Sequence, residues 1–361
     1  MRRPFAALYL TLTLSIAANA QLVPILAYHE VDPTPQEGWS VRSEDFQEQL
    51  AFLAATERNV IPIDMLVDYV TNQRAGLPPH AVVITVDDGW LCTYTQMNDA
   101  LQQHQYPYSI YVYPKIIGSG SHAMKWTQIK DLAAQGADVE SHTVTHAHLL
   151  HRSHPEMSDE QYAQWLRNEL VASKETIERE VGHPVTVLSY PYGDHDATVE
   201  QEAAHAGYAA ALTSEIGLNS RATNPMKLRR IPIESDTTLD DFRTRLGDLP
   251  LMLADCSIAD DAIVSSSSIT LRLAHPERFA TIHAGILGGA MQTYDGDTIN
   301  IAVDNLKPGR HRVIAWADDD SGRRHSSILT FYTSAADLAR YEAMKKELSD
   351  LPLHHASAGT N

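Results

Sequence analysis

Apolar and polar positions along the chain fall into two textures. Across residues 21–248, short runs rich in Val, Ile and Tyr alternate with stretches whose apolar residues recur every three or four positions. The runs at 22–27, 81–86, 108–113, 185–189, 208–212 and 228–233 read as buried strands. Phe46, Leu50 and Leu53 form one helical stripe, opened by Ser43 with Gln47 close behind. A second helix starts at Ser158, an N-cap with Gln161 in the capping-box position. It carries Tyr162, Trp165, Leu166 and Ile177 and stops near Gly182. Strand–helix alternation of this length predicts an α/β fold, as an open sheet or a barrel, and periodicity does not separate the two.

Beyond about Pro250 the texture changes. The runs at 263–273, 280–286, 298–303, 311–316 and 327–332 read as strands, separated by turns such as Tyr294-Asp295-Gly296-Asp297 and Lys307-Pro308-Gly309. Short strands at close spacing predict a small β-sandwich over 249–333. A helix over 334–348, with Ser334 and Asp337 in a capping arrangement, and a tail to residue 361 complete the chain. At the other end, Met1-Arg2-Arg3, an apolar stretch over 5–16 and Ala18-Asn19-Ala20 read as a signal peptide covering residues 1–20. An uncleaved N-terminal anchor is the alternative. The sequence holds no other transmembrane candidate, so an exported protein, periplasmic or extracellular and without stable membrane insertion, is expected.

Composition narrows the function. Lys and Arg number 28 against 46 Asp and Glu, a formal charge of −18. Such a surface repels nucleic acid and anionic lipid. Two cysteines exclude a disulfide framework and a cysteine-built zinc site.

Three motifs carry candidate chemistry. In Thr85-Val86-Asp87-Asp88-Gly89, two carboxylates stand directly after an apolar strand, where α/β folds place ligand crevices. Adjacent like charges resist joint ionisation unless a cation neutralises one. One Asp as metal ligand and the other as general base fits that constraint; an Asp-Asp-Gly turn fits the local pattern equally. Ser141-His142-Thr143-Val144-Thr145-His146 is an H-x-x-x-H pair, which a helical turn or compact loop brings onto one metal. With Asp88 it completes two His and one carboxylate, a set open to several metals. The nearby His148, His151 and His154 read as solvated loop residues. In Ser189-Tyr190-Pro191-Tyr192-Gly193-Asp194 a tight turn can aim a backbone N–H at an oxyanion, although a Pro-Gly loop alone explains it. His29, in Tyr28-His29-Glu30, shares the strand-end position of the other candidates.

T-V-D-D-G, S-H-T-x-x-H and Y-P-Y-G, in that order, resemble the polysaccharide deacetylases of the NodB-homology group, carbohydrate esterase family 4. The resemblance runs from about Leu22 to Ser235. The early Tyr-His pair and the aromatic third motif look most like the poly-N-acetylglucosamine deacetylase branch, whose motif order is circularly permuted. This resemblance implies a distorted (β/α) barrel of about seven strands, followed here by a small all-β immunoglobulin-like sandwich. It implies a divalent metal, most often Zn2+ with Co2+, Ni2+ or Fe2+ as options, on Asp88, His142 and His146. It further implies that Asp87 is the base, that the Tyr192 N–H helps hold the oxyanion, and that His29 is the acid protonating the leaving amine. The implied substrate is a polysaccharide containing N-acetylglucosamine. An inactive carbohydrate-binding protein on the same fold and an O-acetyl esterase are the competing readings. One departure stands out: many family members have Arg where this chain has Ser189, and Arg230, on the strand run 228–233, is the candidate replacement. His283 is a second candidate for the acid, but it falls in the β-rich region.

Overall fold

The computed structural model describes residues 21–349. The expected signal peptide and the end of the tail lie outside the described residues. Seven parallel strands, Ile25–Tyr28, Ala81–Asp88, Ser109–Val112, Asp138–Ser141, Val187–Ser189, Ala210–Ile216 and Leu228–Pro232, stand side by side in chain order. The last pairs with the first, Ile231 opposite Leu26, and the first with the second, Tyr28 opposite Val86, so the sheet closes into a barrel. The strand Asn59–Val60 adds to Ala81–Val82 outside the ring.

Two hydrophobic clusters divide the strand residues by parity. Leu26, Ile84, Val86, Ile110, Val139, Leu188 and Ile231 face outward, against Phe46, Leu50, Leu101, Ile129, Leu166 and Leu170 of the surrounding helices. Ile25, Val83, Tyr111, Val187, Leu212 and Leu228 face inward and pack with Ile63, Leu66, Val67 and Val70. Because side chains alternate along a strand, residues two or four further along the inward series lie above this apolar floor. Those residues are His29, Asp87, Tyr113, His142, Ser189 and Arg230.

The helix Asp159–Val181 follows its sequence signals. Ser158 Oγ accepts the Gln161 N–H at 3.3 Å, Gln161 Oε1 accepts the Ser158 N–H at 2.8 Å, and Gly182 ends the helix at φ 87°. The helix Ser43–Ala55 begins one residue earlier than Ser43 as a cap would require: Arg42 is the capping position. The strand Asp138–Ser141 is not visible as an apolar run, because the inward Glu140 is polar. Its buried carboxylate accepts the N–H groups of Thr186 and Val187, both at 2.9 Å.

The C-terminal strands form two further sheets. One holds Leu253–Cys256, Ser268–Leu273 and Thr298–Ala302; the other is built on Ile282–Ile286, Arg310–Asp318 and Arg324–Tyr332. Ile269, Leu271 and Ile299 of the first pack against Ile282, Val313 and Phe331 of the second. The single run expected over 263–273 is in fact two strands in different sheets, since Ala262–Ile263 pairs with Phe331 and Tyr332. The barrel meets these sheets through Trp316. Its indole donates to the Ala55 carbonyl at 2.7 Å and lies between the His283 ring and the Arg324 guanidinium, each 3.8 Å away. His283 is thus part of this junction. Cys92 and Cys256 are both free.

Candidate active site

The polar residues above the apolar floor converge at the C-terminal ends of the barrel strands. Asp87, 1% exposed, has the inward parity. Asp88 has the opposite parity but joins the same site because its backbone turns left-handed at φ 76°, followed by Gly89 at φ 85°. Thr143 and His146 also have positive φ, 66° and 57°, within the loop after Asp138–Ser141. Non-glycine residues rarely adopt this conformation, and such strain gathers at functional sites.

Asp88, His142 and His146 form one cluster, with candidate ligand atoms all within 4.8 Å of one another. Asp88 Oδ1 lies 3.5 Å from His142 Nε2 and 3.3 Å from His146 Nε2. That oxygen is buried and accepts no hydrogen bond among the described residues, whereas Oδ2 is held by the Trp90 indole N–H at 3.0 Å. His142 Nδ1 is 2.7 Å from the Ser189 carbonyl, which can only accept, so Nδ1 carries the proton and Nε2 presents its lone pair to the cluster. An orphaned carboxylate oxygen facing two imidazole nitrogens fits a divalent cation, with coordination positions left open.

Asp87 lies alongside, bound differently. Arg230 Nη1 is 2.9 Å from Oδ1 and 2.7 Å from Oδ2, and Ser189 Oγ donates to Oδ2 at 3.1 Å. Arg230, itself 3% exposed, is fixed by its Nε–H to the Thr213 carbonyl at 3.0 Å. His29 Nε2 and His142 Nε2 stand 4.0 and 3.9 Å from Oδ2. Burial alone would raise the Asp87 pKa, but Arg230, His142 and His29 outweigh it and hold the carboxyl below its ordinary value. Burial likewise opposes Asp88 ionisation, yet the neighbouring His142, with His29 and His146, takes it far down. Burial pushes His146 down to about 4, with His142 adding to the effect. For His142, burial is overcome by the two aspartates, and its pKa rises.

Tyr192 sits on the rim at φ 59° and is 45% exposed. Its ring stacks on His148 at 4.0 Å and meets His146 edge-on at 4.7 Å, and His148 is tied to Asp194 at 2.8 Å. His148 is exposed in its loop and also supports the rim. His151 and His154 stack instead on Tyr162 and Trp165. Trp90, Tyr113 and Thr213 are the site residues that sequence reasoning passed over. Trp90 and Tyr113 follow strand ends and were findable on that ground.

A closed parallel barrel with a metal-fitting His2Asp cluster beside a buried Asp–Arg pair defines the structural class. Residues 74–211 match the family model for polysaccharide deacetylase. That span holds Asp87, Asp88, His142, His146 and Tyr192, and ends before Arg230. The chain is 25% identical over 214 residues to the putative polysaccharide deacetylase YxkH of Bacillus subtilis, covering 58% of this chain and 71% of that protein. It is 24% identical over 260 residues to the poly-beta-1,6-N-acetyl-D-glucosamine N-deacetylase of Escherichia coli, covering 61% of this chain but only 38% of the relative. Among solved structures, the Streptococcus pyogenes deacetylase PplD shares the fold at TM-score 0.55 and 20% identity, over 63% of this chain and 99% of its own. IcaB from Ammonifex degensii does so at TM-score 0.54 and 20% identity, over 63% of this chain and 96% of its own.

Proposed function

We propose that this protein removes N-acetyl groups from a polysaccharide containing N-acetylglucosamine, releasing acetate, with a divalent metal held by Asp88, His142 and His146. The observation that carries the reading is the division of labour between adjacent carboxylates. Asp88 turns an unpartnered oxygen toward two imidazoles, whereas Asp87 is held anionic by Arg230. When bound, a divalent cation acts as a Lewis acid on the acetamide carbonyl and makes water acidic enough to attack at neutral pH.

The side chains supply the proton transfers. Asp87, ionised and fixed by Arg230 and Ser189, accepts the proton of the attacking water. His29, on the neighbouring strand end, gives a proton to the departing nitrogen, so the carbon–nitrogen bond breaks to acetate and a free amine. The Tyr192 N–H helps hold the oxyanion, and the half-exposed Tyr192 ring offers an apolar face to a sugar. Zn2+ is the preferred ion, with Co2+, Ni2+ or Fe2+ compatible with the same donors. The basic start, apolar stretch and Ala18-Asn19-Ala20 support export to the periplasm or beyond, and no helix among the described residues is long and apolar enough to cross a membrane.

The test is acetate release from β-1,6- and β-1,4-linked N-acetylglucosamine oligomers by zinc-loaded protein, with Asp87→Asn and acetyl-xylan as controls. Release from the oligomers that disappears in Asp87→Asn is expected. Release from acetyl-xylan alone would replace the reading with an O-acetyl esterase, and no release from any substrate by metal-loaded protein would replace it with a binding protein.

A further inference from the structure

We infer that Glu169, on the helix Asp159–Val181, is a positioning residue that sets His146 for metal binding by gripping the strained loop that carries it. The inference rests on the reading of Asp88, His142 and His146 as metal ligands. Glu169 is 2% exposed, deep between helix and barrel. Its Oε2 accepts the N–H groups of Val144 and Thr145 at 3.0 and 2.9 Å, and its Oε1 accepts the Thr145 hydroxyl at 2.9 Å. All three donors belong to the three-residue loop between the two histidines. One helical turn on, Ser173 Oγ donates to the Thr143 carbonyl at 2.8 Å and pairs with Ser141 Oγ at 2.8 Å. Residues four apart on a helix share a face, so a single helix face holds both ends of the loop.

The loop needs such a restraint. Thr143 and His146 both sit at positive φ, and conformations of this kind persist only where surroundings over-determine them. Burying a carboxylate is costly unless its oxygens are satisfied, and here the loop satisfies them. The ordering thus runs both ways: the loop solvates Glu169, and Glu169 fixes the direction in which His146 points.

The experiment measures zinc affinity by chelator competition on the folded protein, beside apo-protein melting and a His146→Ala control. In Glu169→Ala, affinity falls roughly 10–100-fold, the range for supports behind metal ligands. Glu169→Gln restores it to within a few-fold, because the amide oxygen accepts the same two N–H groups and the amide nitrogen faces the Thr145 hydroxyl. A purely structural role lowers apo melting in both variants without this pattern in metal affinity. Parent-like affinity in Glu169→Ala overturns the proposal while leaving the metal site standing. If Glu169→Ala does not fold, Glu169→Asp, whose carboxylate falls one methylene short of the loop, carries the same test, and parent-like affinity there overturns it. If the parent and His146→Ala bind zinc equally, the metal site itself is wrong and the inference falls with it.

Discussion

Arg230 Nη1 spans both oxygens of Asp87, at 2.7 and 2.9 Å, across 143 residues of sequence, and both side chains are almost fully buried. Ser189 contributes its hydroxyl to Asp87 and its carbonyl to His142, so one residue links the proposed base and a candidate metal ligand.

Replacing Arg230 by Ala leaves a buried carboxylate without its cation, which costs about 3–5 kcal/mol of stability. The sign for catalysis follows from the balance on Asp87: burial raises its pKa, and Arg230 is the first of the groups bringing it down. Without Arg230 the carboxyl protonates at higher pH, so the acidic limb of the kcat/KM profile moves upward in pH and turnover falls. Arg230→Lys keeps the charge and shifts the limb less. Parent-like turnover and an unmoved limb in Arg230→Ala would remove Arg230 from the site.

Asp87 and Asp88 differ by one position but separate on substitution. Asp87→Asn is expected to lower turnover by roughly 10²–10⁴-fold, the range for loss of a general base, while retaining metal. Asp88→Asn is expected to lose the metal, because the unpartnered Oδ1 belongs to this residue. Metal content after dialysis, read beside kcat, distinguishes the two. Equal metal loss in both variants would erase the separate roles.

The α/β alternation was legible because its strands are mostly apolar runs, the barrel only through the motif resemblance, and Asp87, Asp88, His142 and His146 stood out because each pair is close in sequence. Arg230 could be nominated only from its position on a strand, since nothing local in Leu228-Arg229-Arg230 indicates a partner 143 residues away. The strand Asp138–Ser141 escaped because the positions that should read as apolar hold Asp138 and Glu140, satisfied by Ser109, Thr186 and Val187 from neighbouring strands. The stacking of His148 on Tyr192 and its tie to Asp194 are tertiary contacts of the same kind. Polar residues whose partners are distant leave no periodic trace.

Gly193 closes the turn that presents Tyr192. It sits at φ 73°, and a Cβ there would lie 2.7 Å from the backbone nitrogen of Ser214. Gly193→Ala therefore meets both a left-handed backbone, at about 1–2 kcal/mol, and an atom that cannot rotate away. The turn must shift, and misplacement of about an ångström near the reacting atoms costs up to roughly 10²-fold in turnover. Metal content stays at the parent level, because Asp88, His142 and His146 are carried by other segments. Unchanged kcat would show that the turn tolerates movement and that Tyr192 takes no part.

Asp318 supplies a pH-dependent tie between barrel and C-terminal sheets. Its carboxylate receives Arg324 Nε at 2.6 Å and Nη2 at 2.9 Å, and lies 3.0 Å from His80 Nε2. Burial opposes its ionisation, but the bonds from Arg324 and His80 prevail and hold its pKa well below the usual carboxylate range. A depressed folded-state pKa gives stability that is present above the unfolded value of about 3.9 and is lost as pH falls through the folded one. Asp318→Asn is therefore expected to melt below the parent at pH 7, with the gap narrowing as the pH is taken below about 4. Thermal melts of both proteins between neutral pH and about pH 3 measure it. A gap that stays constant over that range would assign the loss to packing at the Trp316 junction and not to the charge on Asp318.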